Sequence, residues 1–526
     1  MSELKSFLYL AATFGAAIII SKVIRAQLTT WKLRHVPTVG PKGFFSSYYG
    51  GVHFIKHAYE MAQEGYNKYQ GRAFKVRMPD QWLVVITGPD MINDFRKAGD
   101  DYLSFDDAIA TTIQTDYTIG KETRLNNYHL GVVRTSLTRN ISHRFGDVRD
   151  EIVNAFSEEI PIKNDWVTVP ALSTVMRIVC RTTNRLFVDL PLCRESDYMR
   201  LNIEFTVDVF KAARIINLFP DLLKPIAGNL LTPISKAVRQ ARRHLEPMIQ
   251  ERLDQDDQYG KNWAGRPNDL LSWLLDENPQ GDLRTVRDLT LRILNINMAA
   301  IHTTSMAFTH ILYYLSIQPD EVITVLREEV EASLNEHGWS KLAMGQLRRM
   351  DSFMKECVRS AGGHALSIDR EVLKDFTFSD GTTIPAGSRV AIASFALHHD
   401  ERYYEDPYEF KPFRFADMRA QEGESIKHQM ITPNPEYMFF GAGRHAWWVS
   451  YQSVRQQCLK YRIFTSSPGR FFAVNELKTL IAHTLLTYDV KLEHDSKTVP
   501  KPFCFGRTMM PNRTAKVMFR KRSTYN

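Results

Sequence analysis

The amino-acid sequence predicts a mainly helical fold with small β-sheets behind an N-terminal transmembrane helix. Three observations lead to this prediction: apolar residues recur at helical spacing over long stretches, strand patterns are few and clustered, and the chain has neither internal repeats nor a low-complexity linker. A chain of 526 residues is long enough to bury one large core. We therefore expect an anchor at 1–25, a proline-containing hinge at 26–45 and a single domain over 46–526.

The first element is an apolar run at residues 7–20, which is at the short end of what a membrane-spanning helix needs. No small-residue cleavage pattern follows it, and Lys22, Arg25, Lys32 and Arg34 crowd its C-terminal side. These features favour an anchor over the alternative, which is the apolar region of a cleaved signal peptide. Because positive flanks tend to stay on the cytoplasmic side, the rest of the chain is expected to face the cytosol.

Three later stretches have the apolar period of a helix, from about 289 to 317, from 319 to 334 and from 471 to 486. Residues 376–384 have a different pattern. There, Asp380 and Gly381 are expected to form the turn between two short strands. The sequence thus predicts long helices with a minor strand content.

Charge and cysteine content exclude several classes of protein. The net charge of +8 is spread along the chain, without the basic block interleaved with aromatic residues that a nucleic-acid surface needs. It is consistent with attraction to anionic lipid or an acidic partner, or with an ordinary soluble surface. The five cysteines show neither C-x-x-C spacing nor an even framework, so neither a zinc site nor a disulfide scaffold is expected.

Motifs with chemical meaning begin at Glu356-x-x-Arg359, where a carboxylate and a guanidinium share one face of a helix and can pair. Alone, this spacing is common. It is followed in order by His398 to Pro407, by Phe410-Lys-Pro-Phe-Arg414-Phe415, and by Phe440-Gly-Ala-Gly443-Arg-His445. This series resembles the cytochrome P450 family, and the resemblance extends over essentially the whole chain.

The resemblance is to fungal, membrane-bound members that oxidise terpenoids and other secondary metabolites. It implies haem b as cofactor, electrons from NADPH through a cytochrome reductase, O₂ as co-substrate and a lipophilic small molecule as substrate. It also implies single-pass attachment to the endoplasmic reticulum membrane, with the catalytic domain facing the cytosol. Glu356, Arg359 and Arg414 are then expected to form a buried network beneath the haem-binding loop.

The central helix carries Ala299-Ala-Ile-His302-Thr303-Thr304, where the family has a small pair, an acid and a threonine that manage oxygen and its protons. The resemblance makes Thr303, His302 and Thr304 candidate catalytic residues. His302 replaces the family's acid, and imidazole is a plausible proton shuttle near neutral pH. The alternatives are a core histidine bonded to a carbonyl, and a helix threonine bonded to the carbonyl one turn back.

Haem carries two carboxylates that need cationic or hydrogen-bonding partners in an apolar pocket. By position in the family pattern, the candidates are His129, Arg134, Arg370 and His445. His129 and Arg134 could instead be polar-face residues of an early helix. Phe440 and Gly443 occupy the loop positions at which the family approaches the iron.

The sequence departs from the family at the metal ligand, because Trp447 stands where the ligand cysteine is expected. A neutral indole offers only a donor and does not ligate iron. The family pattern resumes at Pro468-Gly-Arg, so residues 447–467 are interpreted as an insert. Cys458 is the competing thiolate, but the phenylalanine and glycines of the family loop are missing around it.

A retained intron accounts for the insert. Trp447 and Trp448 are each encoded by TGG and Val449 begins with GT, so an intron starting GTGGGT fits after the second base of codon 447. If Ser467 is encoded by AGC or AGT, its first two bases end the intron and its third completes TGC or TGT, a cysteine codon. The frame survives, and the chain then reads Gly-Arg-His-Ala-Cys-Pro-Gly-Arg.

Two classes of function follow from these observations. The first is a haem-thiolate monooxygenase whose mature transcript lacks the insert. The second is a haem-free, inactive protein, or a membrane-anchored binding protein, that keeps the fold without the iron ligand.

Overall fold

The computed structural model describes residues 15, 27–162, 165–432, 434–441 and 469–522. Over these ranges the chain is mainly helical with small sheets, which confirms the predicted class. Apart from residue 15, the predicted anchor at 1–25 lies outside the described residues, and so does the predicted insert at 447–467. Among the helices of the described ranges, none is both long and apolar enough to cross a membrane.

The α-helices are, in chain order, α1 Phe44–Lys68, α2 Pro89–Lys97, α3 Phe105–Ile113, α4 Lys121–Leu125, α5 Tyr128–Val132, α6 Thr138–Asn140, α7 Phe145–Glu159, α8 Ala171–Phe187, α9 Ser196–Ile216, α10 Lys224–Leu230, α11 Ile234–Tyr259, α12 Leu270–Asp276, α13 Val286–Leu315, α14 Asp320–His337, α15 Lys341–Gln346, α16 Arg348–Ala361, α17 Ser394–His398, α18 Arg414–Ala420 and α19 Arg470–Thr487. Short π-helical turns at Asp116–Gly120 and Val133–Leu137 adjoin α4 and α5.

The strands are β1 Thr38–Val39, β2 Phe74–Arg77, β3 Trp82–Ile86, β4 Leu103–Ser104, β5 Val167–Pro170, β6 Ser367–Val372, β7 Phe376–Thr377, β8 Thr383–Ile384, β9 Arg389–Ile392, β10 Tyr488–Leu492, β11 Phe503–Phe505, β12 Thr508–Met510 and β13 Lys516–Lys521. They form a six-stranded sheet in the order β1-β2-β3-β9-β6-β4, a three-stranded sheet β10-β13-β5, and the pairs β11-β12 and β7-β8.

The long predicted helices are present, with ends that differ from the apolar pattern by a few residues. The central helix α13 begins at a cap in which the Thr285 hydroxyl accepts a hydrogen bond from the Asp288 amide at 3.2 Å. It ends before Pro319, which precedes α14. Helix α19 is buried on nearly all sides, so it is a core helix rather than a one-faced surface helix.

The predicted hairpin at 376–384 is also present. Strands β7 and β8 are antiparallel, and Phe376 lies opposite Ile384. The turn includes Gly381, whose φ of +83° lies in the left-handed region that glycine adopts without strain. Local turn chemistry therefore predicted this element correctly.

The buried apolar residues form two clusters. One surrounds the large sheet and the helix α1 that packs on it. The other is larger and helical, and α13 runs through it in contact with α8, α9, α11, α16 and α19. The site described next opens beside α13 in this helical part.

Candidate functional site

A cavity that opens to solvent lies against the middle of α13, and its empty space, with the open solvent at its mouth included, is about 1070 Å³. Ile296, Ala299 and Ala300 of α13 form one wall, and the small alanines leave room beside the helix. Residues from α3, from the segment 119–137 and from the start of α19 close the other sides. The lining is mostly apolar with a few polar groups, which is the usual character of a small-molecule or cofactor site.

The start of α19 is part of this cavity. Gly469, Phe472 and Ala473 line it, directly after the stretch 442–468 that lies outside the described residues. Just before that stretch lies the buried Phe440, whose ring stands edge-on to Phe439 at a centroid distance of 4.8 Å. The predicted site residues Gly443, His445 and Trp447, and the alternative ligand Cys458, also lie outside the described residues.

The two threonines of the central motif have different environments. The Thr303 hydroxyl donates to the Ala299 carbonyl at 2.7 Å and lies 3.2 Å from the Ala300 carbonyl. The Thr304 side chain lines the cavity and is 2% exposed, and its hydroxyl has no hydrogen-bond partner among the described residues. A buried hydroxyl without a partner is costly, so Thr304 is available to a group that occupies the cavity.

His302 is directed toward another helix. Its Nε2 lies 2.7 Å from the Ile203 carbonyl of α9, which is the contact of the core-histidine alternative. Burial lowers the pKa of His302, and the carbonyl bond opposes this shift. His302 is not among the residues that line the cavity, so a role in proton transfer stays a prediction.

His129 lies in the cavity wall and is 2% exposed. Its Nδ1 lies 2.9 Å from Nη1 of Arg292, and its Nε2 lies 3.1 Å from Nδ2 of Asn295. Burial, followed by the positive charge of Arg292, holds the pKa of His129 well below its ordinary value. The imidazole is therefore neutral at physiological pH.

The two predicted arginine partners of the cofactor are not among the residues that line the cavity. Arg134 is half-buried in the π-helical turn after α5. Arg370 is fully buried on β6, where its guanidinium donates to the Phe95 carbonyl at 2.5 Å and lies 4.2 Å from the centre of the Phe95 ring. Their roles as cofactor partners stay predictions.

Glu356, Arg359 and Arg414 come together in one buried ion network. The Glu356 carboxylate accepts two bonds from Arg359, at 2.7 and 2.8 Å, and one from Arg414 at 3.0 Å. Arg359 also donates to the carbonyls of His398 and Pro407, both at 2.7 Å. The network thus joins α16, α17 and α18 to the segment between α17 and α18.

Sequence reasoning missed a buried lysine beside this network. Lys355 is fully buried, its ammonium lies 4.4 Å from the ring centres of both Phe415 and Tyr437, and it donates to the His428 and Gln429 carbonyls. Burial lowers its pKa to about 7. Its only sequence signal is its place directly before Glu356.

Asp288, Arg292 and Asn295 of α13 were also not predicted from the sequence. Arg292 is fully buried and pairs with Asp288, with Nε 2.6 Å from a carboxylate oxygen. A charged pair four residues apart inside an apolar helix was the signal that could have identified Asp288 and Arg292.

Comparison with known proteins places similar chains in one family, the cytochromes P450. A family model described as Cytochrome P450 matches residues 41–446. The chain is 41% identical over 529 positions to Cytochrome P450 monooxygenase 151 of Postia placenta, with all of both chains covered. It is 30% identical to Cytochrome P450 monooxygenase CYP512U6 of Ganoderma lucidum, over 95% of this chain and 94% of that protein. It is 29% identical to Cytochrome P450 monooxygenase paxQ of Penicillium paxilli, over 93% of this chain and 92% of that protein.

Proposed function

The chain belongs to the cytochrome P450 family, and from this premise we propose that its active form is a haem-thiolate monooxygenase that oxidises a lipophilic small molecule. Haem b supplies the activation of O₂, with electrons from NADPH delivered by a cytochrome reductase. The proposed substrate is a terpenoid or another fungal secondary metabolite. We also propose that residues 46–526 form one catalytic domain.

The observation that carries this proposal is the apolar cavity between α13 and the start of α19. Its described walls fit a flat, largely apolar group whose edges accept hydrogen bonds. His129 is a neutral imidazole at the wall, and the Thr304 hydroxyl is buried there without a partner among the described residues. The apolar walls exclude water, and the Thr304 hydroxyl is available to orient what enters the cavity.

The residue at the ligand position does not fit the cofactor, because Trp447 has no atom that ligates iron. The family match ends at residue 446, one residue before the sequence departs from the pattern. We therefore attribute the active form to a chain in which one cysteine replaces segment 447–467. In that chain the cysteine stands between Ala446 and Pro468, two residues before Gly469, which borders the cavity.

The proposed location is the endoplasmic reticulum membrane, with residues 1–25 as a single-pass anchor and the catalytic domain in the cytosol. The apolar run at 7–20 and its basic flank support this orientation. The net charge of +8 favours docking of an acidic reductase surface.

The test is a reduced carbon-monoxide difference spectrum recorded on three full-length forms. One is the chain as printed, one has a cysteine in place of 447–467, and the matched control has a serine in that place. We expect a thiolate-type Soret band in the cysteine form only. The same band in the printed chain would contradict the proposal and direct attention to Cys458.

The second candidate function, a haem-free anchored binding protein, is favoured by the same Trp447. It predicts that the chain as printed binds no haem and that the mature transcript keeps segment 447–467. Haem content measured alongside the spectra distinguishes a chain that binds no haem from a chain that binds haem through a different ligand.

A further inference from the structure

Two residues of α13, Arg292 and Asn295, contact the ring nitrogens of His129, and Asp288 of the same helix pairs with Arg292. Arg292 directs Nη1 at His129 Nδ1, at 2.9 Å, and at the Asn126 carbonyl, at 2.7 Å. Its other side bonds the Asp288 carboxylate at 2.6 and 3.3 Å, and its guanidinium lies 3.9 Å from the centre of the Tyr128 ring. The Arg292 side chain is fully buried, and these contacts hold its guanidinium in one orientation.

The contact between Arg292 and His129 determines where the imidazole proton is. A guanidinium has only donors, so Nδ1 of His129 must be the acceptor and must carry no proton. The neutral ring then carries its one proton on Nε2. This tautomer follows from the chemistry of the two groups and from their 2.9 Å separation.

The same reasoning fixes the amide of Asn295. The atom of this amide that lies 3.1 Å from His129 Nε2 is assigned as Nδ2, and a nitrogen there would set two donors against each other. The oxygen and nitrogen of an amide are exchanged by a half-turn of the side chain. With Oδ1 facing His129, the amide accepts from Nε2 and its two N–H groups face away from His129 at the cavity wall, which Asn295 also lines.

We propose that the Asp288–Arg292 pair is a positioning device that holds His129 as the neutral Nε2–H tautomer and thereby also orients Asn295. Both ring nitrogens of His129 are then bonded to Arg292 and Asn295, and the wall of the cavity presents the neutral N–H groups of the Asn295 amide as donors. Asp288 is needed because it balances the buried guanidinium, whose charge would otherwise be uncompensated. Arg292 and Asp288 act through His129, so they are positioning residues.

Neutral donors suit an oxygen acceptor such as a carboxylate or a carbonyl. Under the proposed function the acceptor at this wall is a propionate of the haem, and this assignment rests on that function. The tautomer itself does not rest on it, because the contacts that set it lie entirely within α5, α13 and the residues just before α5.

Helix α12 contacts α5, and two acids of this helix and its N-cap are held in ion pairs. The N-cap residue Asp269 pairs with Arg252 and Asp276 pairs with Arg266, both at 2.9 Å. Arg292 is the charged group that acts on the pKa of His129. Substitution of Arg292 is therefore the direct perturbation.

The experiment reads the protonation of each ring nitrogen by long-range ¹H–¹⁵N NMR on the full-length chain with ¹⁵N-labelled histidine in detergent. His129→Gln identifies the signals. We expect a bare Nδ1 and a protonated Nε2 that do not change between about pH 8 and pH 5, since the ordinary histidine pKa is about 6.5. A proton on Nδ1, or a cationic ring in this range, would overturn the proposal.

Arg292→Met should mix the two tautomers and raise the pKa of His129, because the fixed donor and its charge are lost. Arg287→Met is the matched control, since Arg287 is exposed on the same helix and should leave the spectrum unchanged. If Arg292→Met fails to fold, Arg292→Lys keeps a positive donor and should preserve the tautomer. An unchanged tautomer and pKa in Arg292→Met would refute the positioning role.

These outcomes are separable from those of the proposed function. A fixed Nε2–H tautomer together with no thiolate spectrum in the cysteine form leaves the positioning role intact and removes the haem assignment. A mixed tautomer in the unsubstituted chain together with a thiolate spectrum in the cysteine form removes the positioning role and leaves the proposed function intact.

Discussion

Removal of the Glu356 carboxylate is expected to cost several kcal/mol of stability. The carboxylate accepts three bonds from Arg359 and Arg414 between 2.7 and 3.0 Å, and one from the Lys411 amide at 3.2 Å. Glu356 is 0% exposed, so Glu356→Ala leaves two buried guanidinium groups without a counter-ion. Loss of one partner of a buried pair costs about 3–5 kcal/mol. That is a large part of the roughly 5–15 kcal/mol that stabilises a typical protein.

The assay is urea unfolding of the full-length chain, followed by circular dichroism. The matched control is Glu246→Ala, because Glu246 pairs with Arg242 at 2.6 Å on an exposed face of α11. An exposed pair contributes about 0–1 kcal/mol, so the control should unfold almost as the unsubstituted chain does. If Glu356→Ala and Glu246→Ala shift the midpoint equally, the buried network does not stabilise the fold in the way described.

Three further predictions concern single buried groups. Burial lowers the pKa of Lys355 to about 7. Between about pH 7 and 10.5 the unfolded chain therefore binds more protons than the folded chain, and the free energy of unfolding should rise with pH. Lys355→Met should abolish this rise in unfolding experiments across that range. Burial raises the pKa of Glu476 to about 7. Between about pH 4.5 and 7 the folded chain therefore binds more protons than the unfolded chain, and the free energy of unfolding should fall as the pH rises. Glu476→Gln should remove that fall, and an unchanged pH profile in this variant would contradict the assignment. Thr304→Val should leave stability unchanged or slightly higher, because a buried hydroxyl without a described partner is lost. Thr303→Val, which loses a 2.7 Å bond to Ala299, is the comparison in thermal unfolding, and an equal loss in both variants would contradict the difference.

The elements that the sequence predicted well are those set by local pattern. The helix at 286–315, the helix at 470–487 and the hairpin at 376–384 follow from apolar period and turn residues within the segment itself. The contact between Glu356 and Arg359 follows from helical spacing alone. The further contact with Arg414 came from the family resemblance, since no local pattern joins residues 58 apart.

The features that the sequence could not supply depend on packing between distant segments. The direction of His302 is set by the Ile203 carbonyl of α9, and nothing near His302 in the chain indicates that neighbour. The contact of Arg292 with His129 joins residues 163 apart and was missed for the same reason. The order of the six-stranded sheet, in which β3 lies beside β9, also arises from pairing across most of the chain.

The central claim is that a cysteine occupies the ligand position in the active protein. The most direct measurement is the sequence of the mature transcript across codons 446–468. We expect a transcript in which a TGC or TGT codon joins Ala446 to Pro468, with Ser467 encoded in the genome by AGC or AGT. Mature transcripts that all retain the segment 447–467, or any other serine codon at 467, would contradict it.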